Sequence, residues 1–274
     1  VNGFSMLEEQ RHAFGQILGY MDAERPDAVL IAGDVYDRAV PGVEAVRLFD
    51  DFLTELAARE ASVLLISGNH DSPERLSYAG RLLAERKIHL CGAFDGRLRS
   101  VVRTDAYGDV VFWLMPFLRP FAVRGMFPNR GIEKETDAVS AALGTAAIDP
   151  SKRNVLLSHQ FYAAAGVAPI RSESELDPVG GLDAVDARLL SPFDYVALGH
   201  LHSPQRLGEN ARYAGSPVKY SFSEWKQQKS VTLVELREKG NLVVTALPLT
   251  PLHDMRELKG RISQLLQDET AARG

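Results

Sequence analysis

Four short apolar runs in this chain each stop at a polar cluster. Ala28-Val29-Leu30-Ile31-Ala32 leads into Gly33-Asp34-Val35-Tyr36-Asp37-Arg38, and Val63-Leu64-Leu65-Ile66 leads into Gly68-Asn69-His70-Asp71. Further on, Asn154-Val155-Leu156-Leu157 ends at Ser158-His159, and Tyr195-Val196-Ala197-Leu198 ends at Gly199-His200-Leu201-His202. Continuous aliphatic runs of this length suit strands buried on both faces. In open α/β sheets, function collects beyond the carboxyl ends of strands, so four such ends predict one shared site. The glycines let the backbone turn sharply and approach a ligand closely.

The rest of the chain supplies the layers around those strands. Met6, Leu7, Phe14, Ile17, Leu18 and Met21 recur at helical spacing, which predicts a helix over 5–24 with Ser5 as its cap and Pro26 beyond its end. A second amphipathic helix follows Pro41. Ser72-Pro73 has the form of a cap with proline at the first helical position, opening a helix to about Arg86. One more helix is expected within 133–147, and further strands at 110–115, 231–236 and 242–247. Strands and helices alternate early and strands dominate later, so the fold class is α/β with one large sheet or two stacked sheets. Pro248 and Pro251 bracket a boundary, which divides the chain into a main domain, 1–250, and a short charged helical segment, 251–274. The first residue is Val rather than Met, so a segment upstream is expected to be missing.

Composition narrows the function classes. Apolar residues make up 45% of the 274, which excludes a disordered chain. With 31 basic and 36 acidic residues the net charge is -5, so any contact with DNA must be local. No apolar run is long enough for a membrane helix, and no secretory signal opens the sequence. The single cysteine, Cys91, excludes an intrachain disulfide framework; it fits a reducing, cytoplasmic compartment and a small buried apolar role. No phosphate-binding Gly-x-x-x-x-Gly-Lys-Ser/Thr loop occurs, so ATP would be handled by a partner.

Asp34, Asn69, His159, His200 and His202 form a mixed oxygen and nitrogen ligand set without thiolates. Such a set suits Mn, Fe or Zn. One carboxylate, here Asp34, can bridge two ions about 3.5–4 Å apart, the spacing of two-metal phosphoryl chemistry. His200 and His202 alternate across one residue, so an extended backbone would aim both the same way. Taken singly, each cluster reads as a turn, a self-bonded loop or a satisfied histidine. Taken together at four strand ends they read as a metal site. Asp71 is expected to orient a neighbour or cap the next helix, and His12, His89 and His253 have no site role.

Those four clusters, in their order and spacing, resemble the signature of the calcineurin-like metallophosphoesterases over about the first 205 residues. Gly215-Ser216-Pro217-Val218-Lys219-Tyr220-Ser221-Phe222-Ser223-Glu224 is similar to a segment particular to the bacterial SbcD family, the nuclease subunits of SbcCD repair complexes. Segments 7–12, 180–185 and 193–199 share that likeness. The resemblance implies two stacked mixed β-sheets flanked by helices. It implies that Asp34 bridges the ions, that Asn69, His159 and His200 complete one ion's ligands, and that His202 binds the other. His70 matches a catalytic histidine that is not a ligand. Asp37 falls where a residue steers that histidine, and Arg38 where a phosphate contact lies. The implied activity is metal-dependent phosphodiester hydrolysis in DNA end processing, repair, recombination and replication, by exonuclease or endonuclease cleavage. It would use two divalent ions, with manganese expected, an SbcC-type ATPase partner and a homodimer.

The family also carries an Asp-x-His motif on a strand ahead of the first helix, which this sequence lacks before Asp34. The second ion's ligand set is therefore incomplete in the sequence, and hydrolysis by the chain as it stands is expected to be poor. Beyond residue 250 the family continues into a DNA-capping region, of which 251–274 would be the start. Arg97, Arg99, Arg103, Arg119, Arg124, Arg130 and Lys219 are the basic candidates for DNA contact. A small-substrate phosphoesterase and a non-catalytic DNA- or ATPase-binding scaffold are the alternatives.

Overall fold

Among the described residues, the apolar runs at Val63, Asn154 and Tyr195 become inner strands of two stacked sheets, whereas the run at Ala28 forms an edge strand that is only half-buried, a correction to its expected burial on both faces. A computed structural model describes residues 4–164, 169–173, 175 and 184–262. Helix α1 (Leu7–Glu24) is followed by β1 (Ala28–Ile31), α2 (Val43–Ala57), β2 (Ser62–Ile66), α3 (Pro73–Leu76), α4 (Gly80–Ala84) and β3 (Ile88–Cys91). Then come β4 (Arg99–Asp105), β5 (Gly108–Met115), α5 (Pro120–Met126), α6 (Glu135–Leu143), β6 (Arg153–Ser158), β7 (Tyr162–Ala163) and β8 (Val185–Asp186). The chain continues with β9 (Tyr195–Leu198), β10 (Gln205–Leu207), β11 (Ala211–Tyr213), β12 (Ser230–Leu236) and β13 (Leu242–Pro248).

Among the described residues, β1-β2-β3 form one sheet and β10-β11-β9-β6-β5-β4 the other, with β12-β13 and β7-β8 as small pairs. The larger sheet is mixed, as expected; the smaller is parallel in both of its pairings. Parallel strands must be buried on both faces, and β2 and β6 are buried at every position. Between the sheets, Leu64, Ile66 and Cys91 meet Phe112, Leu114, Val155 and Leu157, with the β12-β13 hairpin closing one side through Val234 and Val244. Outside the small sheet, α1 and α2 cover Val63 and Ile88 with Met21, Phe52 and Leu56, and Phe14 stacks on Phe52 at 4.1 Å. Outside the large sheet, α6 and the loops pack on Trp113, Leu156 and Val196.

Three local expectations are corrected. The segment after Ser72 is not one helix to Arg86 but α3 and α4, separated at Ala79, whose φ is 58°. Neither piece has a buried residue, so no apolar face rewards continuing the helix, and Ser77 Oγ is drawn to the Gly92 N–H at 2.9 Å. The N-cap position of α1 falls at Met6, which has no side-chain cap bond, while Ser5 one residue earlier accepts from Leu7 N–H at 3.5 Å; the far end turns at Arg25 in the left-handed region. The expected charged helix past Pro251 is not formed over 252–261; residue 262 is helical, and 263–274 lie outside the described residues. There the backbone is fastened to α1 instead. Glu9 accepts from the Leu252 and His253 N–H groups, Gln16 exchanges hydrogen bonds with Thr250, and the Tyr20 hydroxyl donates to Pro248 O.

One buried cation ties the hairpin to the large sheet. Arg153 is 3% exposed and donates to Asp105 Oδ1 at 2.5 Å, to Gly108 O at 2.7 Å, and to Leu236 O and Arg237 O at 3.0 Å each. Lysine has the charge but not the planar fork that reaches four oxygens. Arg153→Lys should cost about 2–4 kcal/mol in chemical denaturation, the worth of a few charge-assisted bonds. Hydrogen exchange should quicken first in 230–248; uniform quickening across both sheets would contradict this anchoring role.

Candidate metal centre

Two of the four loops that carry candidate ligands leave their strands through a left-handed residue that is not glycine. Asp34 has φ 49° and His200 φ 82°, unusual for residues with a side chain. Such strain persists where the surroundings over-determine it, and it clusters at functional sites. Gly68 and Gly199 let the loops interlock. A Cβ on Gly68 would lie 2.0 Å from Asp34 Oδ1, and one on Gly199 would lie 1.9 Å from Ala32 O. Asp71, 6% exposed, holds the first two loops together by accepting from the Val35, Tyr36 and Gly68 N–H groups at 3.2, 3.0 and 2.8 Å. That is the orienting role expected for it.

The loops bring four side chains to one point. Asp34, His159 and His200 offer ligand atoms that all lie within 4.8 Å of one another. His159 Nε2 lies 3.0 Å from Asp34 Oδ2 and 3.2 Å from Asn69 Oδ1, and His200 Nδ1 lies 3.0 Å from the same Asn69 oxygen. Donor atoms on neighbouring vertices of an ion bound at about 2.0–2.2 Å are themselves about 3 Å apart. The observed spacings match.

Proton bookkeeping points to a cation here. His159 Nδ1–H donates to Ala32 O at 2.5 Å, so a neutral ring has a lone pair on Nε2, facing two acceptor oxygens. Only a second proton or a metal ion relieves that arrangement. Burial would lower the His159 pKa, but the Asp34 charge and hydrogen bond outweigh it and the net shift is upward. Burial would likewise raise Asp34, yet His159 and the His70 N–H hold it at about 2, an anion at neutral pH. His200 is lowered to about 3, by burial first and by the charge of His159 second, so its ring is neutral. One proton must then serve two ring nitrogens of His200, and its Nε2 is buried with no hydrogen-bond partner. The donor set therefore fits a divalent ion.

Several expected residues take other positions. His202 is not in the 4.8 Å group; its Nδ1 lies 3.1 Å from Glu224 Oε1. The backbone at His200 is left-handed rather than extended, so the alternation argument for His200 and His202 fails. His70 is held by Asp37, but through the main chain: Nδ1 lies 2.9 Å from Asp37 O, while the Asp37 carboxylate pairs with Arg38 at 3.0 Å. Asp37 thus reaches His70 through its carbonyl oxygen. Arg38 is 71% exposed.

Lys219, a candidate for DNA contact, is buried rather than at the surface. It is 8% exposed and bonds Trp225 O at 2.8 Å and Asp254 at 2.6 Å, a structural tie. Of the other basic candidates, Arg119 reaches the site: Nη2 is 3.5 Å from Asn69 O and the guanidinium lies over Phe117, whose ring meets His159 edge-on. Arg99 and Arg124 are engaged locally, with Asp95 and Ile132 O. Cys91 is buried, as expected, and His253 pairs with Glu9. Sequence reasoning assigned no role to Glu175, Glu224 and Lys229, which surround His202. Each is an isolated charge in a polar stretch, and only contact reveals its burial.

Comparison with known proteins gives the family. The calcineurin-like phosphoesterase pattern matches residues 7–204. The protein named as the D subunit of nuclease SbcCD from Staphylococcus saprophyticus is 33% identical over 98% of this chain and 70% of its own length. Its counterpart of the same name from Staphylococcus epidermidis is 30% identical over 98% of this chain and 71% of its own. A crystal structure of TT1561 from Thermus thermophilus superposes with a TM-score of 0.51 at 12% identity, covering 85% of this chain and 92% of that one, which speaks for the fold alone.

The raised His159 pKa sets the pH dependence of ion binding. Below that pKa a proton occupies Nε2, and a metal ion must displace it. Mn2+ affinity should therefore fall as the solution is acidified, by about tenfold per pH unit once His159 is protonated. Calorimetry in buffers of different ionisation enthalpy should show about one proton released per ion at the acidic end. An affinity independent of pH between 5 and 8 would contradict the assignment.

Proposed function

Because the chain belongs to the calcineurin-like phosphoesterases, and among them to the SbcD family of nuclease subunits, we propose that it is a metal-dependent DNA nuclease subunit. The observation that carries this reading is the meeting of Asp34, Asn69, His159 and His200 at spacings suited to one ion. In the proposal Asp34, Asn69, His159 and His200 would hold one divalent ion and Asp34 with His202 a second, the metal would be manganese, and 251–274 begins a capping region. The work is DNA end processing in repair and recombination, beside an SbcC-type ATPase, as a cytoplasmic homodimer. No described helix is long and apolar enough to cross a membrane.

Bound ions supply the positive charge that polarises a phosphodiester and lowers the pKa of the attacking water. The chain's own groups do the rest. Asp34 stays anionic and, held by the His70 N–H at 3.0 Å, presents its other oxygen to the site. Asp37 O can only accept, so His70 keeps its proton on Nδ1 when neutral and works through Nε2. With a second proton on Nε2, the ring can give that proton to the leaving oxygen or donate a hydrogen bond to the phosphate, while Nδ1–H stays on Asp37 O. Arg119, beside Asn69, is the proposed phosphate contact among the basic residues.

Cleavage of a linear duplex by the full-length protein with added Mn2+ tests the reading. His70→Ala should keep the metal and lose about 10²–10⁴-fold in rate, the usual contribution of a positioned proton donor. Asp34→Ala should lose both metal and cleavage. Equal metal loss in the two variants would refute the division of roles. Turnover of a small phosphomonoester with no cleavage of DNA would refute the nuclease.

A further inference from the structure

We propose that Glu224 is a positioning residue of the metal centre: it fixes the His202 ring with its proton on Nδ1, so that Nε2 carries the lone pair offered to a divalent ion beside Asp34. This rests on the reading of His202 as a ligand, and adds the group that makes it one. Glu224 lies in the segment whose likeness to SbcD stood out in the sequence, and it falls outside residues 7–204, the span of the phosphoesterase pattern.

His202 is gripped at three polar handles. Its N–H donates to Glu175 Oε1 at 2.6 Å, its carbonyl accepts from Lys229 Nζ at 2.8 Å, and its Nδ1 meets Glu224 Oε1 at 3.1 Å. Glu224 is 0% exposed and Lys229 3%, and the two pair at 2.6 Å. Ser172 Oγ also donates to Glu224 Oε1, at 2.7 Å. A carboxylate paired with lysine only accepts, so the hydrogen of the Glu224–His202 bond must come from Nδ1. In a neutral imidazole the lone pair then falls on Nε2. This is how the second ring nitrogen of a metal-binding histidine is commonly held, and it fixes ring orientation as well as tautomer.

The surroundings support a positioning device over a purely cohesive one. Burying an ion pair is weak evidence for stability, because both ions give up water. Here both members of the pair touch His202, one at the ring and one at the carbonyl. The Tyr220 ring lies 5.6 Å from the His202 ring, and Gln10 on α1 donates to the Tyr220 hydroxyl at 2.8 Å. The ring is thus set by residues 220–229 together with the first helix.

Two measurements on the full-length protein decide the matter. Long-range proton–nitrogen NMR of the metal-free protein should show His202 protonated at Nδ1. A ring protonated at Nε2 overturns the proposal without any variant. Mn2+ titration of Glu224→Ala should leave the tighter ion within about twofold of the parent and weaken the other about 10–100-fold, the usual cost of losing a ligand's supporting group. Glu224→Gln keeps an acceptor oxygen and should recover the tautomer and most of the affinity, which a merely structural defect would not follow. His202→Ala separates the two claims. If His202→Ala loses the weaker ion and Glu224→Ala or, should that variant not fold, Glu224→Gln with a lost tautomer binds both as the parent does, the role of Glu224 is refuted alone. If His202→Ala binds both ions normally, the ligand reading falls and takes the proposal with it.

Discussion

The His159 imidazole joins the two sheets where their strands end. It belongs to the large sheet through β6, is 1% exposed, and touches Ala32 and Asp34 just beyond β1 of the small sheet. A buried ring with two polar atoms must find partners, and Ala32, Asp34 and Asn69 all reach it from across the interface. That requirement sets how far the sheets approach and in what direction. The candidate metal centre is built around the same ring, so the packing of the core and the geometry of that candidate site are one constraint.

Close approach of loops is what the constraint demands. The backbone after β9 passes Ala32 with no room for a side chain at Gly199, and the loop after β2 passes Asp34 with none at Gly68. Left-handed turns at Asp34 and His200 then swing the ligands inward. Asp71 compensates for the strain by gathering three N–H groups from two loops. Its own carboxyl is pushed up, by burial first and by the nearby Asp34 charge, against the pull of those donors. Two carboxylates with opposite shifts sit a few residues from the same ring: Asp34 is held as an anion for a cation, and Asp71 serves the backbone.

A second layer of charge lies on the other side of the site. Glu224 and Lys229 reach His202 from the chain between β11 and β12, and α1 is fastened to 248–254 by Glu9, Gln16 and Tyr20. The first helix, the last strand and the His202 loop therefore support one another, although more than 200 residues separate their ends in sequence. Contacts so distant cost loop-closure entropy in folding, and the buried hydrogen bonds offset it only once the sheets are in place.

The strands and the site were legible in the sequence to different depths. The apolar runs at Val63, Asn154 and Tyr195 became β2, β6 and β9 because strands buried on both faces need unbroken apolar residues, and the run at Ala28 became the half-buried edge strand β1. Their polar endings marked the site because a parallel arrangement puts those endings at one edge. Short or alternating strands such as β3, β4, β10 and β11 escaped notice, since three to seven residues of mixed polarity read as loops. The helix drawn through 73–86 failed because propensity was present without a face to bury. Within the site, residue types at Asp34, Asn69, His159 and His200 announced ligands. Which atom of Asp37 steers His70, why Lys219 is buried, and what holds His202 could not be read from spacing. A carbonyl and a carboxylate of one residue share a single letter, and burial is a property of neighbours. The sequence by itself determined which strands form and where their chemistry gathers, because hydrophobic pattern and residue type are local. The tertiary structure decided which polar atoms face one another, because those pairs come from elements that meet only when the two sheets close.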